Sequence, residues 1–171
     1  LALGKLGGRE MTASSDLDMI VVYDFDHERP ESSGPRPLYG GQYFSRLTQR
    51  LISALTAQTN YGVLYQVDMR LRPSGRSGPL ATRIDGFAGY QEDEAWTWEH
   101  MALTRARVVS ASPQFAARVE ELIRTVLCRI PDEIGHRLRQ PGTVPYTVQF
   151  TARFDLELAV RIRSGNLGDH I

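Results

Sequence analysis

Hydrophobic positions along this chain repeat with two different periods, and the period separates strands from helices. Asp16-Leu17-Asp18-Met19-Ile20-Val21-Val22-Tyr23 ends in a β-branched run, which predicts a largely buried strand. From about Tyr43 to Gln58, Phe44, Leu47, Leu51 and Leu55 recur at helical spacing with Arg46 and Arg50 elsewhere on the wheel. That pattern predicts an amphipathic helix. Between Val63 and Arg72 every odd position is apolar, and the even positions from 66 are Gln, Asp, Arg and Arg. Strict alternation predicts a second strand with one apolar and one polar face. Residues 24–42 hold Pro30, Pro35 and Pro37 among serines and glycines, and read as a surface loop. Residues 73–79, Pro-Ser-Gly-Arg-Ser-Gly-Pro, read as a turn.

After residue 84 the period is helical. Trp96, Trp98, Met101 and Leu103 lie among charges in residues 85–107, and the tryptophans are expected in buried helix packing rather than against an adenine. Ser112-Pro113 supplies an N-cap and a first-turn proline. Phe115, Val119, Leu122, Val126 and Ile130 then form one apolar face, with Pro131 expected to close the helix. Residues 143–163 admit strand or helix, because Phe150, Phe154, Leu158 and Ile162 step by four while local alternation persists.

Composition narrows the classes. The 171 residues fit one domain, and 20 basic against 20 acidic side chains give zero net charge. A strongly basic nucleic-acid footprint is thereby excluded, and no nucleic-acid partner is expected. Apolar residues at 42% and charged residues at 23% match a soluble globular chain, and no apolar run approaches the ~18 residues of a membrane span. The one cysteine, Cys128, excludes an internal disulfide and a cysteine-based metal site, and reads as helix packing. A cytoplasmic location is expected. Leu1-Ala2-Leu3-Gly4-Lys5 reads like a strand end entering a Gly-rich turn, so the chain is expected to be a piece of a longer protein.

The chemistry concentrates near the two predicted strands. Asp16 and Asp18 sit two apart, so their carboxylates share one face with Cα atoms about 6.5 Å apart. Hard divalent cations take oxygen ligands, and Mg²⁺ is held by one or two carboxylates plus substrate phosphates. Asp68 occupies the polar face of the second strand, with Arg70 and Arg72 following on that face to balance phosphate charge. Gly7-Gly8 and Ser14-Ser15 offer close-approaching amides and hydroxyl donors. Singly, each feature is common; an Asp-x-Asp is often a cap or turn device. Jointly they point to a two-metal nucleotidyl transferase.

Gly4-Lys5-Leu6-Gly7-Gly8-Arg9-Glu10, Ser14-Ser15-Asp16-Leu17-Asp18 and Val67-Asp68-Met69-Arg70-Leu71-Arg72-Pro73-Ser74-Gly75 resemble the glutamine synthetase adenylyltransferase family. The resemblance continues through Glu94-Ala95-Trp96-Thr97-Trp98-Glu99-His100 and Thr104-Arg105-Ala106-Arg107-Val108-Val109, and covers roughly residues 1–130. Family members have two related catalytic halves. One transfers AMP from ATP to a tyrosine of glutamine synthetase, and the other removes it with phosphate. The Glu94–His100 stretch looks like the adenylylating half. The resemblance implies that Asp16 and Asp18 bind two Mg²⁺ ions, Asp68 the ion beside the nucleophile, and Gly7, Gly8 and Ser15 the β- and γ-phosphates. It also implies ATP as substrate, glutamine synthetase as partner, and a PII-type signal protein acting through the full-length protein. Beyond about Arg137 the pattern stops; Phe154-Asp155-Leu156-Glu157 matches only part of it, and no role is carried over there.

The expected fold is α+β: a nucleotidyltransferase-type small mixed β-sheet with helices in residues 1–84, a helical extension in 85–137, and an unassigned tail in 138–171. The rivals are the phosphorolytic deadenylylating half, a non-catalytic piece that only binds glutamine synthetase or a PII-type protein, and a nucleic-acid polymerase. Asp24, Asp26, His27 and Glu28 are read as a solvated charge run, and Glu99, Arg105 and Arg107 as neighbours on one side of a helix.

Overall fold

The computed structural model describes residues 1–138, with side chains through Arg129. The expectations placed on residues 143–163, on Phe154–Glu157 and on the rest of the tail lie outside the described residues.

The segment after Asp16 is extended, in two short pieces: β1 (Leu17–Asp18) and β2 (Val21–Tyr23). Each finds a different parallel partner. β1 lies beside β3 (Val67–Asp68), with Leu17 opposite Val67 and Asp18 opposite Asp68. β2 lies beside β4 (Ala81–Arg83), with Val21, Val22 and Tyr23 opposite Ala81, Thr82 and Arg83. Residues 1–3 add antiparallel contacts, Ala2 bridging both Met19 and Arg107. Parallel pairs, antiparallel bridges and several helices make this an α+β fold.

The second predicted strand is much shorter than its alternation suggested. Asp68 accepts the Arg70 amide N–H on Oδ1 at 2.9 Å, and the chain turns over residues 69–75, where the Arg72 amide donates to the Met69 carbonyl and the Gly75 amide to that of Arg72. A side-chain acceptor offered to the backbone two residues on competes with ladder pairing, and here it ends the strand. Arg70 and Arg72 therefore lie beyond β3, not on its polar face.

Helix α2 (Gly40–Leu55) starts a little earlier than expected. Its inward line is Gly40, Phe44 and Thr48, with Gly40 and Thr48 buried and the Thr48 hydroxyl returned to the Phe44 carbonyl. Leu47 and Leu51, expected on the buried face, are 48% and 40% exposed. α3 (Ile84–Asp93) and α4 (Thr97–Leu103) follow, then α5 (Pro113–Leu138). Ser112 starts α5 as expected, its hydroxyl accepting the Phe115 amide. The helix does not stop at Pro131; it continues to Leu138 despite the backbone N–H that proline lacks. Trp96 and Trp98 are 70% and 54% exposed, against the expectation of buried packing. α4 instead turns Glu99 and Leu103 inward, and Trp96 stands outside its first turn. Among the described residues no helix is long and apolar enough to cross a membrane.

The core joins strand region and helices: Leu3 and Ile20 pack with Ile84, Phe87, Leu103, Val119, Ile123 and Val126. Asp24, expected in a solvated run, ties the same parts together. Its Oδ1 accepts Arg83 Nε and Nη2, each at 3.1 Å, and its Oδ2 accepts Arg118 Nη1 at 2.7 Å. Asp26, His27 and Glu28 are exposed. Burial pushes the Asp24 carboxyl up, but hydrogen bonds from Arg118, Arg83 and the Phe25 amide outweigh it and hold it below the ordinary range. Asp24→Ala is expected to cost about 1–3 kcal/mol in denaturant unfolding, because Arg83 and Arg118 lose their shared acceptor and Arg83 keeps only the longer contact to exposed Asp85. A lowered folded pKa means that this stabilisation is present above about pH 4 and fades as pH falls through the folded value. The gap between wild type and variant should therefore narrow in acid; a gap unchanged down to pH 2 would show that the ion pairs are not its source.

Candidate active site

Directly opposed residues of neighbouring strands point to the same face. The register of β1 and β3 therefore puts Asp18 and Asp68 side by side, and Asp16, two residues before Asp18, is close enough to be felt electrostatically. The Asp18 carboxyl is pushed above the ordinary range by burial, then by the negative charges of Asp68 and Asp16, with Arg70 and Lys5 opposing. Asp68 moves the other way. The Arg70 guanidinium bonded to its Oδ2 holds it below the ordinary range against the effect of burial. A cleft of about 390 Å³ opens here, lined by Asp16, Gln66, Asp68, Arg70, Arg72 and Arg76. Two of the three carboxylates, Asp16 and Asp68, line a space bordered by three guanidiniums, and Asp18 stands beside Asp68 in the strand register.

Among the described residues no three His, Cys, Asp or Glu side chains surround a common ion position. The donor chemistry nevertheless fits Mg²⁺: hard carboxylate oxygens, mutually repelling, beside cations that suit phosphate. Arg70 and Arg72 differ in their freedom. Arg72 is fixed into the turn, donating to the carbonyls of Met69 at 2.9 Å, Arg76 at 3.3 Å and Gly78 at 3.4 Å. Arg70 is anchored through Asp68.

The glycine loop forms a single turn, α1 (Gly4–Gly7), directly against the acidic pair. Gly4 has φ +49°, and a Cβ on it would run into Oδ2 of Asp18. Only glycine gives that carboxylate room. The amides of Gly7 and Gly8 close the turn, donating to the carbonyls of Leu3 at 2.7 Å and Gly4 at 3.0 Å. Ser15 is buried, and its hydroxyl accepts the Thr12 amide at 3.0 Å and shares a 2.8 Å bond with the Thr12 hydroxyl. For these residues to hold phosphates, those bonds would be exchanged for ligand contacts.

The segment after α4 secures the loop. Arg107 donates from Nε to the Gly7 carbonyl at 3.2 Å and from Nη2 to that of Leu6 at 2.9 Å. Arg105 pairs with Glu10 and lies over Gly8. Glu99 is elsewhere, buried with Oε1 accepting the Tyr90 hydroxyl at 2.9 Å and Oε2 the Trp96 amide at 2.8 Å. The expected grouping of Glu99 with the arginines fails because α4 ends at Leu103, Arg105 lies in the turn that follows and Arg107 in the bridge to Ala2. Sequence reasoning also passed over Gly4 and Arg76 as individual site residues. Gly4 offered one signal, its place beside the Gly7-Gly8 pair, but its service to Asp18 depends on a long-range contact.

A family model described as glutamate-ammonia ligase adenylyltransferase matches residues 1–122. A protein of Rhodopseudomonas palustris strain HaA2 is 73% identical over 132 residues, covering 77% of this chain and 13% of that protein. One from Bradyrhizobium sp. strain ORS 278 is 70% identical over the same length, with the same coverage. One from Xanthobacter autotrophicus strain Py2 is 67% identical over 128 residues, covering 74% of this chain and 13% of that protein. All three are named bifunctional glutamine synthetase adenylyltransferase/adenylyl-removing enzyme. The chain thus matches about an eighth of the length of these curated relatives.

Proposed function

Because the chain belongs to the glutamate-ammonia ligase adenylyltransferase family, we propose that it forms part of a catalytic centre moving AMP from ATP to a tyrosine hydroxyl of glutamine synthetase. The observation that carries this reading is the Asp18–Asp68 register pair with Asp16 close by, Asp16 and Asp68 lining a cleft bordered by arginines. Asp16 and Asp18 would hold two Mg²⁺ ions, and Asp68 the one nearer the acceptor. Bound there, Mg²⁺ supplies charge neutralisation at the transferring phosphoryl group and its oxygens. Arg70 and Arg72 balance triphosphate charge from the cleft wall. Gly7, Gly8 and Ser15 hold the β- and γ-phosphates, Ser15 by turning its hydroxyl away from Thr12. A PII-type signal protein would act through the full-length protein, in the cytoplasm.

The relatives' names include adenylyl removal, so the reverse chemistry is the second reading. Labelled ATP, Mg²⁺ and glutamine synthetase should yield pyrophosphate and modified glutamine synthetase. Release of ADP from adenylylated glutamine synthetase plus phosphate, without the forward reaction, would assign the chain to the removing half. Binding of glutamine synthetase with neither chemistry would leave only an interaction module.

Asp68 has two conceivable jobs, metal placement and proton abstraction. The acceptor phenol has an ordinary pKa near 10, already low for a hydroxyl, which leaves a general base less to contribute than its typical 10²–10⁴-fold. Asp68→Asn keeps one oxygen ligand and cannot take the proton. Its activity loss should be substantially recovered at higher pH or with Mn²⁺. Failure of both treatments while metal–ATP affinity stays normal would make proton abstraction the larger role.

A further inference from the structure

Among the described residues, Asp68 alone of the three acids is capped by a cation. Its Oδ1 accepts the Arg70 amide at 2.9 Å, and its Oδ2 accepts Nε of the same residue at 2.7 Å together with Nη2. The guanidinium is largely in solvent, its side chain 68% exposed, whereas that of Asp68 is 16% exposed. With its guanidinium end in solvent the pair is screened, so the arginine is readily withdrawn. Among the described residues, neither Asp16 nor Asp18 has a side-chain hydrogen bond. The acidic group thus meets its neighbour charge mainly through one arginine.

We propose that Arg70 is an internal counter-ion: it occupies Oδ2 of Asp68 while no divalent cation is bound, and transfers to the nucleotide's phosphates when one is. The proposal rests on the reading of Asp16, Asp18 and Asp68 as a metal-binding trio. A divalent cation and a guanidinium repel each other and compete for the same oxygen. The backbone bond to Oδ1 does not depend on the guanidinium, so Asp68 keeps its orientation as the side chain leaves. Arg72 cannot play this part, since three carbonyls hold it in the turn. Arg70 borders the cleft, and its planar fork matches phosphate as well as carboxylate.

The test is titration with Mn²⁺ alone, followed by electron paramagnetic resonance, on wild type, Arg70→Gln and Arg76→Gln. Arg76 borders the same cleft without an ion pair to Asp68, and so controls for loss of a positive charge nearby. Arg70→Gln should bind Mn²⁺ on the order of tenfold more tightly, and Arg76→Gln within about twofold of wild type. With a non-hydrolysable ATP analogue present the sign should reverse, Arg70→Gln binding the Mn²⁺–analogue complex several-fold more weakly. Unchanged or weaker Mn²⁺ binding by Arg70→Gln, or an equal gain in Arg76→Gln, overturns the proposal and leaves the metal site standing. Wild type that binds no Mn²⁺ even with the analogue overturns the metal site and the proposal together.

Discussion

Asp18→Asn is expected to abolish nucleotidyl transfer while making the metal-free chain more stable. The two effects share a cause. Asp18 is half-buried, faces Asp68 across the strand pair, and lies near Asp16. Burial and these two negative charges raise its carboxyl above the ordinary range. A raised folded pKa means that ionised Asp18 works against folding at neutral pH, and that relief comes as pH falls through the folded value. Asparagine keeps the shape and removes the charge, so the variant should be the more stable at pH 7, and the gain should vanish in acid. Activity should go the other way. A lost metal ligand removes several kcal/mol of charge stabilisation, on the order of a thousandfold in rate. Asp16→Ala should abolish transfer for the same reason. Denaturant melts in EDTA beside labelled-AMP transfer read both halves. A less stable Asp18→Asn would mean that the carboxylate is satisfied where it stands, and near-normal turnover in either variant would end the two-metal mechanism.

The largest loss of folding stability should come from Gly7→Ala. A methyl on Gly7 would overlap the Arg105 carbonyl and press on that of Ala2. Neither can step aside, because Ala2 and Arg107 exchange backbone hydrogen bonds at 2.8 and 2.9 Å. Forced overpacking costs about 1–3 kcal/mol where side chains can adjust, and backbone cannot, so at least about 3 kcal/mol is expected here. That is a large share of the ~5–15 kcal/mol holding a typical domain together. Gly8→Ala is the control. Its methyl would meet only the tip of the Arg105 side chain, which is exposed and can swing away. Circular-dichroism melts should separate the two variants widely; equal melting would show that the loop yields as a unit.

The two glycines also show how far sequence reasoning reaches. Gly7-Gly8 stood out, and the phosphate chemistry assigned to both needs only that amides come close to a ligand. That one glycine is wedged between two backbones and its neighbour is free depends on residues a hundred positions away. The acidic positions were legible because a period of two is a local rule and the register happened to pair Asp18 with Asp68. The alternation past Asp68 misled, since a side-chain bond from Asp68 to the Arg70 amide overrides it. Leu47 and Leu51 misled differently. Helical spacing finds an apolar stripe but not what covers it: α2 lies against β4, burying Gly40 and Thr48 and stacking Phe44 on Tyr23 of β2. Asp24 was dismissed for its surroundings in sequence, whereas its partners, Arg83 and Arg118, come from distant elements.

Both strand pairs are parallel, with partners 50 and 60 positions apart, and Ala2 meets Arg107 across more than a hundred. Local contacts cannot seed such a centre; each pairing first closes a long loop, which makes assembly slow relative to a helical chain. Birth order adds a delay. Asp16 and Asp18 leave the ribosome well before Asp68, and Arg107 comes later still. At ~5–20 residues per second the carboxylates wait on the order of ten seconds for the arginine that secures the turn beneath them. Until Val67 and Asp68 follow, β1 is an unpaired strand with Asp18 in it and Asp16 just before it, and those charges keep it from pairing with a neighbouring nascent copy.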